Sequence, residues 1–255
     1  METALITGAS GGIGLELAYI FAGNNIHLIL VARSLDKLQK IAADITERYK
    51  VNVTVLSKDL SVLSEAESLV NEVAPVQIDY LVNNAGFGVF GKTTETPWNK
   101  ELQMLNLNMV TLAYLAKTYA TQMVDRKKGR ILNVASTAAF QPGPMMSAYS
   151  ATKAFVLSLT EGMSEELRGS GVTLTALCPG ATESGFQEAA AMHESRLFKN
   201  RKLPSSKQVA EFGYRAMMKG KVVAVHGIKN NILAFGTRIF PRWAVRRITR
   251  YIIDK

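Results

Sequence analysis

The chain has 255 residues, enough for one domain with a substantial apolar core. Its net charge of +9 would suit a nucleic acid or an anionic surface, but no base-reading module accompanies the charge, and a phosphate-bearing cofactor also requires cations. The single cysteine, Cys178, excludes an intrachain disulfide and favours a reducing, intracellular setting. No apolar run approaches the ~18 residues of a spanning helix, and no signal peptide precedes the first predicted strand, so we expect a cytoplasmic protein.

The first predicted strand, Ala4–Ile6, leads into the glycine-rich turn Thr7-Gly8-Ala9-Ser10-Gly11-Gly12-Ile13-Gly14, and a helical pattern follows from Leu15. Glycines at positions 8, 12 and 14 let the backbone turn sharply and approach a pyrophosphate without a Cβ in the way. The next helix directs its free N–H groups and positive dipole end toward such an anion. The spacing G-x3-G-x-G fits the commoner dinucleotide fingerprint only loosely, and a purely structural turn is the alternative.

The second predicted strand, Ile26–Ala32, is apolar enough to be buried on both faces of a parallel sheet. It ends at Arg33. In a dinucleotide-binding fold this end meets the adenosine ribose, where an acidic residue binds a 2′-hydroxyl and a cation binds a 2′-phosphate. Arg33 therefore favours NADP over NAD, the alternative being an ordinary solvent-facing arginine.

Strands and helices alternate along the rest of the chain. The further predicted strands are Val51–Leu56, Ile78–Val82, Ile131–Ala135, Val172–Leu177 and Lys221–His226; the predicted helices begin near Ser34 and span about 61–73, 99–125 and 147–168. This alternation predicts βαβ units with right-handed crossovers. We expect an α/β fold, a Rossmann-type doubly wound parallel sheet of about seven strands with helices on both faces and ligands beyond the strands' carboxyl ends.

Polar residues that suit catalysis follow the fifth predicted strand. Tyr149 and Lys153 are spaced i, i+4 at the start of a helix and so share one face, although such a pair arises often by chance. Ser136 comes just after the strand, where a loop can return its hydroxyl toward Tyr149. Asn108 lies inside a long predicted helix, where its amide marks either a functional group or merely a kink or a solvent-facing position.

Taken together, these motifs resemble those of a classical short-chain dehydrogenase/reductase over nearly all of residues 3–226. The family's T-G-x3-G-x-G falls on Thr7 to Gly14, its N-N-A-G on Asn83 to Gly86, its adenine-side acid on Asp59, and its P-G on Pro179-Gly180. The resemblance implies that Asn108, Ser136, Tyr149 and Lys153 are catalytic, although Asn106 competes with Asn108 for the asparagine position. It also implies cofactor contacts from Gly8, Ser10, Gly12, Ile13, Gly14, Arg33, Asp59, Leu60, Asn84, Ala85, Gly86, Pro179, Gly180 and Thr182, with Tyr149 and Lys153; Ser184 is an alternative to Thr182.

The implied chemistry is hydride transfer between NADP and a carbonyl or secondary alcohol, with NADPH preferred over NADH. Tyr149 would serve as general acid or base, because the charges of Lys153 and of an oxidised nicotinamide favour its phenolate. Ser136 would position the carbonyl oxygen, and Asn108 would hold a water that relays protons to Lys153. The alternative is a non-catalytic dinucleotide-binding protein that senses redox state or partners another chain.

Apolar side chains are expected to line the substrate pocket: Phe87, Val89, Phe90, Phe140, Met145, Met146 and Phe186. They suggest a small to medium apolar substrate, unless several of them belong to the core or to a lid. The histidines His27, His193 and His226 are scattered, so no metal site is expected. We expect a homo-oligomer and no nucleic-acid partner.

We assign residues 1–228 to one catalytic, NADP-binding domain and residues 229–255 to a basic amphipathic tail that is part of it or packed on it. From Pro241, a good first helical residue, the apolar Ala244, Val245, Ile248, Tyr251 and Ile252 share one face, opposite Arg242, Arg246, Arg247 and Arg250. Two interpretations stay open: the apolar face packs on protein, or the helix lies on an anionic membrane surface with Trp243 near the boundary.

Overall fold

A computed structural model of the chain describes residues 1–190 and 203–253. Within these residues, seven parallel strands form one sheet in the order β3-β2-β1-β4-β5-β6-β7. The strands are β1 Thr3–Thr7, β2 His27–Ala32, β3 Val53–Ser57, β4 Tyr80–Asn83, β5 Gly129–Val134, β6 Val172–Cys178 and β7 Val223–Val225. The predicted doubly wound parallel sheet is confirmed, and the predicted strand ends lie within about two residues of those observed.

The helices lie on both faces of the sheet. They are α1 Gly12–Gly23, α2 Leu35–Tyr49, α3 Leu63–Val73, α4 Trp98–Leu105, α5 Leu112–Asp125, α6 Ser147–Glu166, α7 Phe186–Ala189, α8 Ser206–Met218, α9 Ile228–Gly236 and α10 Arg242–Ile253. A π-helical segment, Asn106–Thr111, joins α4 to α5, so the single helix predicted over 99–125 has three parts. The sequence pattern did not reveal α8 or α9, and His193 lies outside the described residues.

Apolar side chains fill both sides of the sheet. On one side, Leu17 and Phe21 of α1 pack with Met217 of α8. On the other, Leu69 of α3 and Tyr119 of α5 pack against the sheet. Because both faces are covered, the central strands are buried along their whole length, as their continuous apolar sequences predict.

The chain changes direction across the sheet between β1 and β4. Strand β1 pairs with β2 on one side and with β4 on the other, Leu5 lying opposite both Ile29 and Leu81. Crossovers run to opposite edges of the sheet from this point, which leaves a crevice beyond the carboxyl ends of the two strands. The glycine-rich turn and the segment after β4 meet in that crevice.

The C-terminal helices also reach this edge of the sheet. Thr249 and Ile253 of α10 are buried, Ile253 in an apolar cluster that also contains Met104 and Tyr149, whereas Ile248 and Tyr251 are exposed. Two members of the predicted apolar face, Ile248 and Tyr251, thus lie at the surface of the protein. Among the described residues, no helix is long and apolar enough to cross a membrane.

Candidate active site

A cleft of about 1520 Å³ lies beyond the carboxyl ends of the strands. It collects residues that are far apart in sequence and that the motifs single out. Its lining includes Gly8, Ser10, Gly12, Ile13, Arg33, Asp59, Leu60, Asn84, Ala85, Gly86, Ser136, Tyr149, Lys153, Pro179, Gly180 and Thr182. A cleft larger than an ordinary ~300–1,000 Å³ ligand pocket has room for a dinucleotide and a second molecule.

Glycines shape the first turn of the cleft in two different ways. Gly8 has φ +65°, and a Cβ there would lie 2.8 Å from Cα of Ala85, so only glycine lets the two segments approach. Gly14 does not line the cleft: a Cβ there would overlap Nδ2 of Asn84 and the carbonyl oxygen of Gly8. Gly14 therefore allows the close packing of α1 on the turn, and its contact with a cofactor stays a prediction.

Hydrogen bonds lock this turn to the segment after β4. The Thr7 hydroxyl accepts from the backbone N–H groups of Asn84 and Ala85, both at 3.0 Å, and donates to the carbonyl of Val82 at 3.3 Å. The Asn84 side-chain amide donates to the carbonyls of Thr7 and Gly8, again at 3.0 Å. This network leaves the N–H groups at the start of α1 facing the cleft, where they suit a pyrophosphate.

At the end of β2, Arg33 is exposed and lines the cleft. Among the ion pairs made within residues 1–190 and 203–253, none involves Arg33. Lys58 lines the same part of the cleft, but its ammonium group donates to Ser68 and Glu72. Arg33 is therefore the cation whose charge is available to a ligand here.

The predicted catalytic side chains come together at the middle of the cleft. Tyr149 and Lys153 lie one turn apart on α6, and the Lys153 ammonium is 5.7 Å from the centre of the Tyr149 ring. Lys153 also donates to the carbonyl of Val134 at 2.7 Å, which holds its chain against the end of β5. Ser136 lies two residues after Val134, and its hydroxyl is held in place because it accepts a hydrogen bond from the backbone N–H of Ala138 at 3.1 Å.

Burial has the largest influence on the pKa values of Tyr149 and Lys153. It raises the pKa of Tyr149 to about 12, while a hydrogen bond from Ser136 acts in the opposite direction. Burial also lowers the pKa of Lys153 to about 8, because a cation loses its hydration there. In the protein alone desolvation is the largest influence on the pKa of Tyr149 and favours its protonated form.

Asn108 lies in the π-helical segment and is fully buried, which excludes a solvent-facing amide. Its amide donates to the Phe87 carbonyl at 3.0 Å and to the Thr152 hydroxyl at 3.1 Å. Its Oδ1 lies behind Gly86, where a Cβ would be 2.9 Å from that oxygen and 3.6 Å from Nζ of Lys153. Asn108 does not line the cleft, but its side chain meets the site from behind. An extra residue in a helical turn often marks such a functional position.

A contact that the sequence did not predict joins the C-terminal segment to the loop after β6. A Cβ on Gly180 would lie 2.6 Å from Nδ2 of Asn230, so α9 packs directly on the Pro179-Gly180 segment. Asn230 is oriented by donation to the carbonyl of His226 at 2.7 Å. Thr182 and Ser184 both line the cleft nearby, and the Thr182 hydroxyl donates to the Gly180 carbonyl at 3.0 Å.

The apolar part of the cleft differs from the predicted set. Phe87, Met146 and Phe186 line it, and the Phe186 ring lies 5.3 Å from that of Tyr149. The other predicted residues do not line the cleft. Val89, Phe90 and Met145 belong to the apolar cluster that contains Met146 and Tyr149, and Phe140 packs in a separate cluster. The C-terminal segment supplies the other apolar residues of the cleft lining, which include Leu233, Phe235, Ile239, Phe240, Val245, Ile248 and Ile252.

Known proteins share this sequence pattern. Residues 2–195 match the family model described as short chain dehydrogenase. Very-long-chain 3-oxoacyl-CoA reductase of Homo sapiens is 30% identical over 182 residues, which are 70% of this chain and 58% of the human protein. The match thus spans less than two thirds of that relative. 7beta-hydroxysteroid dehydrogenase of Collinsella aerofaciens is 30% identical over 181 residues, 71% of this chain and 69% of that protein.

Solved structures share the fold over almost the whole chain. A short-chain dehydrogenase from Sphingobium yanoikuyae, in complex with NADPH, superposes with a TM-score of 0.85 at 29% identity and covers 94% of each chain. The bulky-bulky ketone specific alcohol dehydrogenase from Comamonas testosteroni gives 0.81 at 27% identity, covering 94% of this chain and 92% of that one.

Proposed function

Because the chain belongs to the short-chain dehydrogenase family, we propose that it is an NADP-dependent oxidoreductase that interconverts a carbonyl and a secondary alcohol on an apolar substrate. One observation carries the proposal: Tyr149, Lys153 and Ser136 line the same cleft as the glycine-rich turn. A dinucleotide site and a proton donor thus share one enclosed space, as hydride transfer to a carbonyl requires.

The protein's part in the reaction is to hold the carbonyl and supply a proton. A nicotinamide bound in the cleft would supply or accept the hydride. With its pKa at about 12, Tyr149 keeps its proton at neutral pH and can donate it to the carbonyl oxygen. Ser136 places a second donor on the same oxygen and fixes its position.

Lys153 and Asn108 support this proton transfer. Since the Lys153 pKa is near 8, the residue exchanges protons easily around neutral pH. The Asn108 Oδ1 and the Lys153 ammonium both approach Gly86, which supports the prediction that Asn108 holds a water that relays protons to Lys153. Asn106 is only partly buried, whereas Asn108 is fully buried beside Gly86, which favours Asn108 for this role.

Two features favour NADPH over NADH. Arg33 stands at the end of β2 with its charge available to the cleft, where the 2′-phosphate of an adenosine ribose would lie. The similar protein from Sphingobium yanoikuyae is described in complex with NADPH. We expect Asp59 and Leu60 to hold the adenine, and the turn from Gly8 to Ile13 to hold the pyrophosphate.

The substrate is expected to be apolar, because the part of the cleft beyond Tyr149 is walled by Phe87, Met146, Phe186 and the tail. Relatives named for acyl and steroid substrates fit this expectation. We further propose that residues 1–228 form one catalytic domain with 229–255 packed on it, and that the enzyme works as a homo-oligomer in the cytoplasm. The packing of Asn230 on Gly180 supports the first of these.

The test is a panel of short and long methyl ketones, aldehydes, steroid ketones and 3-oxoacyl thioesters, with the loss of NADPH absorbance followed for each. The proposal expects consumption of NADPH with an apolar carbonyl and much slower consumption of NADH. Tight binding of NADPH with no turnover across the panel would instead favour the non-catalytic sensor.

A further inference from the structure

The C-terminal segment exposes a set of large apolar side chains. Ile232, Phe235, Ile239, Phe240, Trp243 and Ile248 are each 55–67% exposed, and we call these six residues the C-terminal apolar surface. Roughly half of the large apolar side chains exposed by the described residues lie between Ile228 and Tyr251. Single exposed apolar residues are ordinary, but a concentrated set marks an interaction surface.

The same surface surrounds the entrance to the cleft. All of its residues except Trp243 line the cleft as well as facing solvent. Thr249 and Ile253 anchor α10 to the body of the protein, so the exposed side chains are held at a fixed position rather than on a loose tail. Whatever covers this surface therefore lies at the mouth of the active site.

Positive charge accompanies the apolar residues. From Ile228 to Ile253 the sequence contains no Asp or Glu, and its charged residues are Lys229, Arg238, Arg242, Arg246, Arg247 and Arg250. In the part of the chain that the structure describes, no ion pair involves Lys229, Arg238, Arg242 or Arg246. The Arg247 guanidinium lies 5.5 Å from the centre of the Trp243 ring, at the boundary of the apolar and cationic residues.

An anionic lipid surface matches this combination better than a second copy of the chain does. Anionic lipids offer headgroup phosphates to the arginines and acyl chains to the apolar side chains, and tryptophan favours the interface between the two regions. A two-fold dimer through this surface would bring the same residues face to face, so cations would oppose cations. No carboxylate within the segment is present to compensate that repulsion.

We propose that residues 228–253 dock the protein on an anionic lipid surface, with the C-terminal apolar surface inserted among the headgroups. The mouth of the cleft then opens onto the bilayer. If the proposed reductase function holds, its substrates are lipid-soluble carbonyls or alcohols that reach Tyr149 from the membrane without crossing water.

Vesicle co-sedimentation of the full chain tests the docking without reference to catalysis. Binding to mixed phosphatidylcholine and phosphatidylserine vesicles is expected, weaker binding to pure phosphatidylcholine, and a decrease with added salt. Trp243→Ser should weaken binding about tenfold through lost apolar contact. The double variant Arg242→Gln with Arg246→Gln should weaken it about 30-fold, as loss of ~1 kcal/mol per charge implies.

Matched variants at other exposed positions serve as controls. Trp98→Ser removes a tryptophan that is 62% exposed on α4, compared with 57% for Trp243, and should leave vesicle binding unchanged. Lys40→Gln with Lys117→Gln removes two exposed charges from α2 and α5 with the same expected result. Equal losses in test and control variants would show unspecific adsorption and overturn the proposal.

Two other outcomes would also overturn it. Absence of binding to any vesicle is one, and an oligomer that dissociates on Trp243→Ser, measured by sedimentation velocity, would assign the surface to a second copy. Docking is separable from the proposed function, because Tyr149→Phe should sediment with vesicles as the unaltered chain does. Faster NADPH consumption with a long-chain ketone carried in anionic vesicles, but not with a short water-soluble ketone, would support delivery from the bilayer.

Discussion

The carboxyl edge of the sheet and the C-terminal helices meet at one cleft but differ in which side chains they bury. At the sheet edge the reactive groups are withdrawn from water, Tyr149 being 7% and Lys153 5% exposed. In the C-terminal helices large apolar groups are left in water, Trp243 being 57% exposed. Catalysis gains from desolvated polar groups, whereas association gains from apolar groups that another surface can cover. The sheet edge is therefore complete within the chain itself, whereas the exposed apolar groups of the C-terminal helices suit contact with a partner.

The largest expected effect lies in the buried region. Tyr149→Phe removes the proton that the carbonyl oxygen would receive in the proposed reaction, so turnover should fall by ~10²–10⁴-fold, with NADPH affinity nearly unchanged. Steady-state kinetics and a fluorescence titration of NADPH measure the two quantities. Tyr114→Phe on α5 is the control and should retain normal turnover. Near-normal turnover in the Tyr149 variant would remove this residue from the mechanism.

The cofactor end of the cleft should respond by a smaller amount. Arg33→Ala should weaken NADPH binding by roughly 1.5–3 kcal/mol, the scale of a charge-assisted hydrogen bond, and should hardly alter NADH binding. Titration of both cofactors into both proteins measures this difference. Equal losses for the two cofactors would mean that Arg33 does not recognise the 2′-phosphate.

Burial of the Lys153 ammonium should lower the free energy of unfolding. Its folded pKa, about 8, lies below the ordinary 10.5, so between those values the unfolded chain binds the extra proton. The free energy of unfolding should therefore rise as pH increases from about 8 to about 10.5. Lys153→Met should flatten this rise and stabilise the fold at pH 7 by ~2 kcal/mol, even after loss of the bond to Val134, while abolishing activity.

Urea unfolding across this pH range measures the Lys153 effect. A variant that is less stable than the unaltered chain at pH 7 would contradict the prediction, because the buried cation would then contribute favourably. Lys117→Met on the surface of α5 is the control; it retains Lys153, so its free energy of unfolding should rise with pH as that of the unaltered chain does.

Sequence predicted the buried region well because its signals are local. Continuous apolar runs mark the strands, and the glycines near β1 mark a turn that needs positive φ at Gly8. The start of α8 was missed, although Ser205 and Gln208 form a reciprocal capping box whose residue types are visible in the sequence. The π-helical segment at Asn108 leaves no such signal, because one extra residue in a turn leaves a helical pattern almost intact.

The C-terminal region was predicted less well because its structure depends on distant contacts. Asn230 lies against Gly180 only once β6 and α9 are in place, and no pattern in the tail anticipates this approach. Helical spacing predicted one apolar face for α10, but the fold buries the side of the helix that carries Thr249 and Ile253. Amphipathic periodicity identifies apolar residues without showing which of them the fold buries.

The smallest expected effect comes from two isoleucines on α10. Ile253 is 9% exposed and lies in the apolar cluster that contains Met104 and Tyr149, whereas Ile248 is 55% exposed. Ile253→Ala should cost about 2 kcal/mol of unfolding free energy, the lower end for a buried isoleucine, because a terminal helix can settle into the space left. Ile248→Ala should change it by less than ~0.5 kcal/mol, as expected for a surface site. The order reverses for vesicles, since Ile248→Ala should weaken binding and Ile253→Ala should not. Similar stability losses for both variants would mean that Ile248 is covered by protein and would remove the contrast between the two regions.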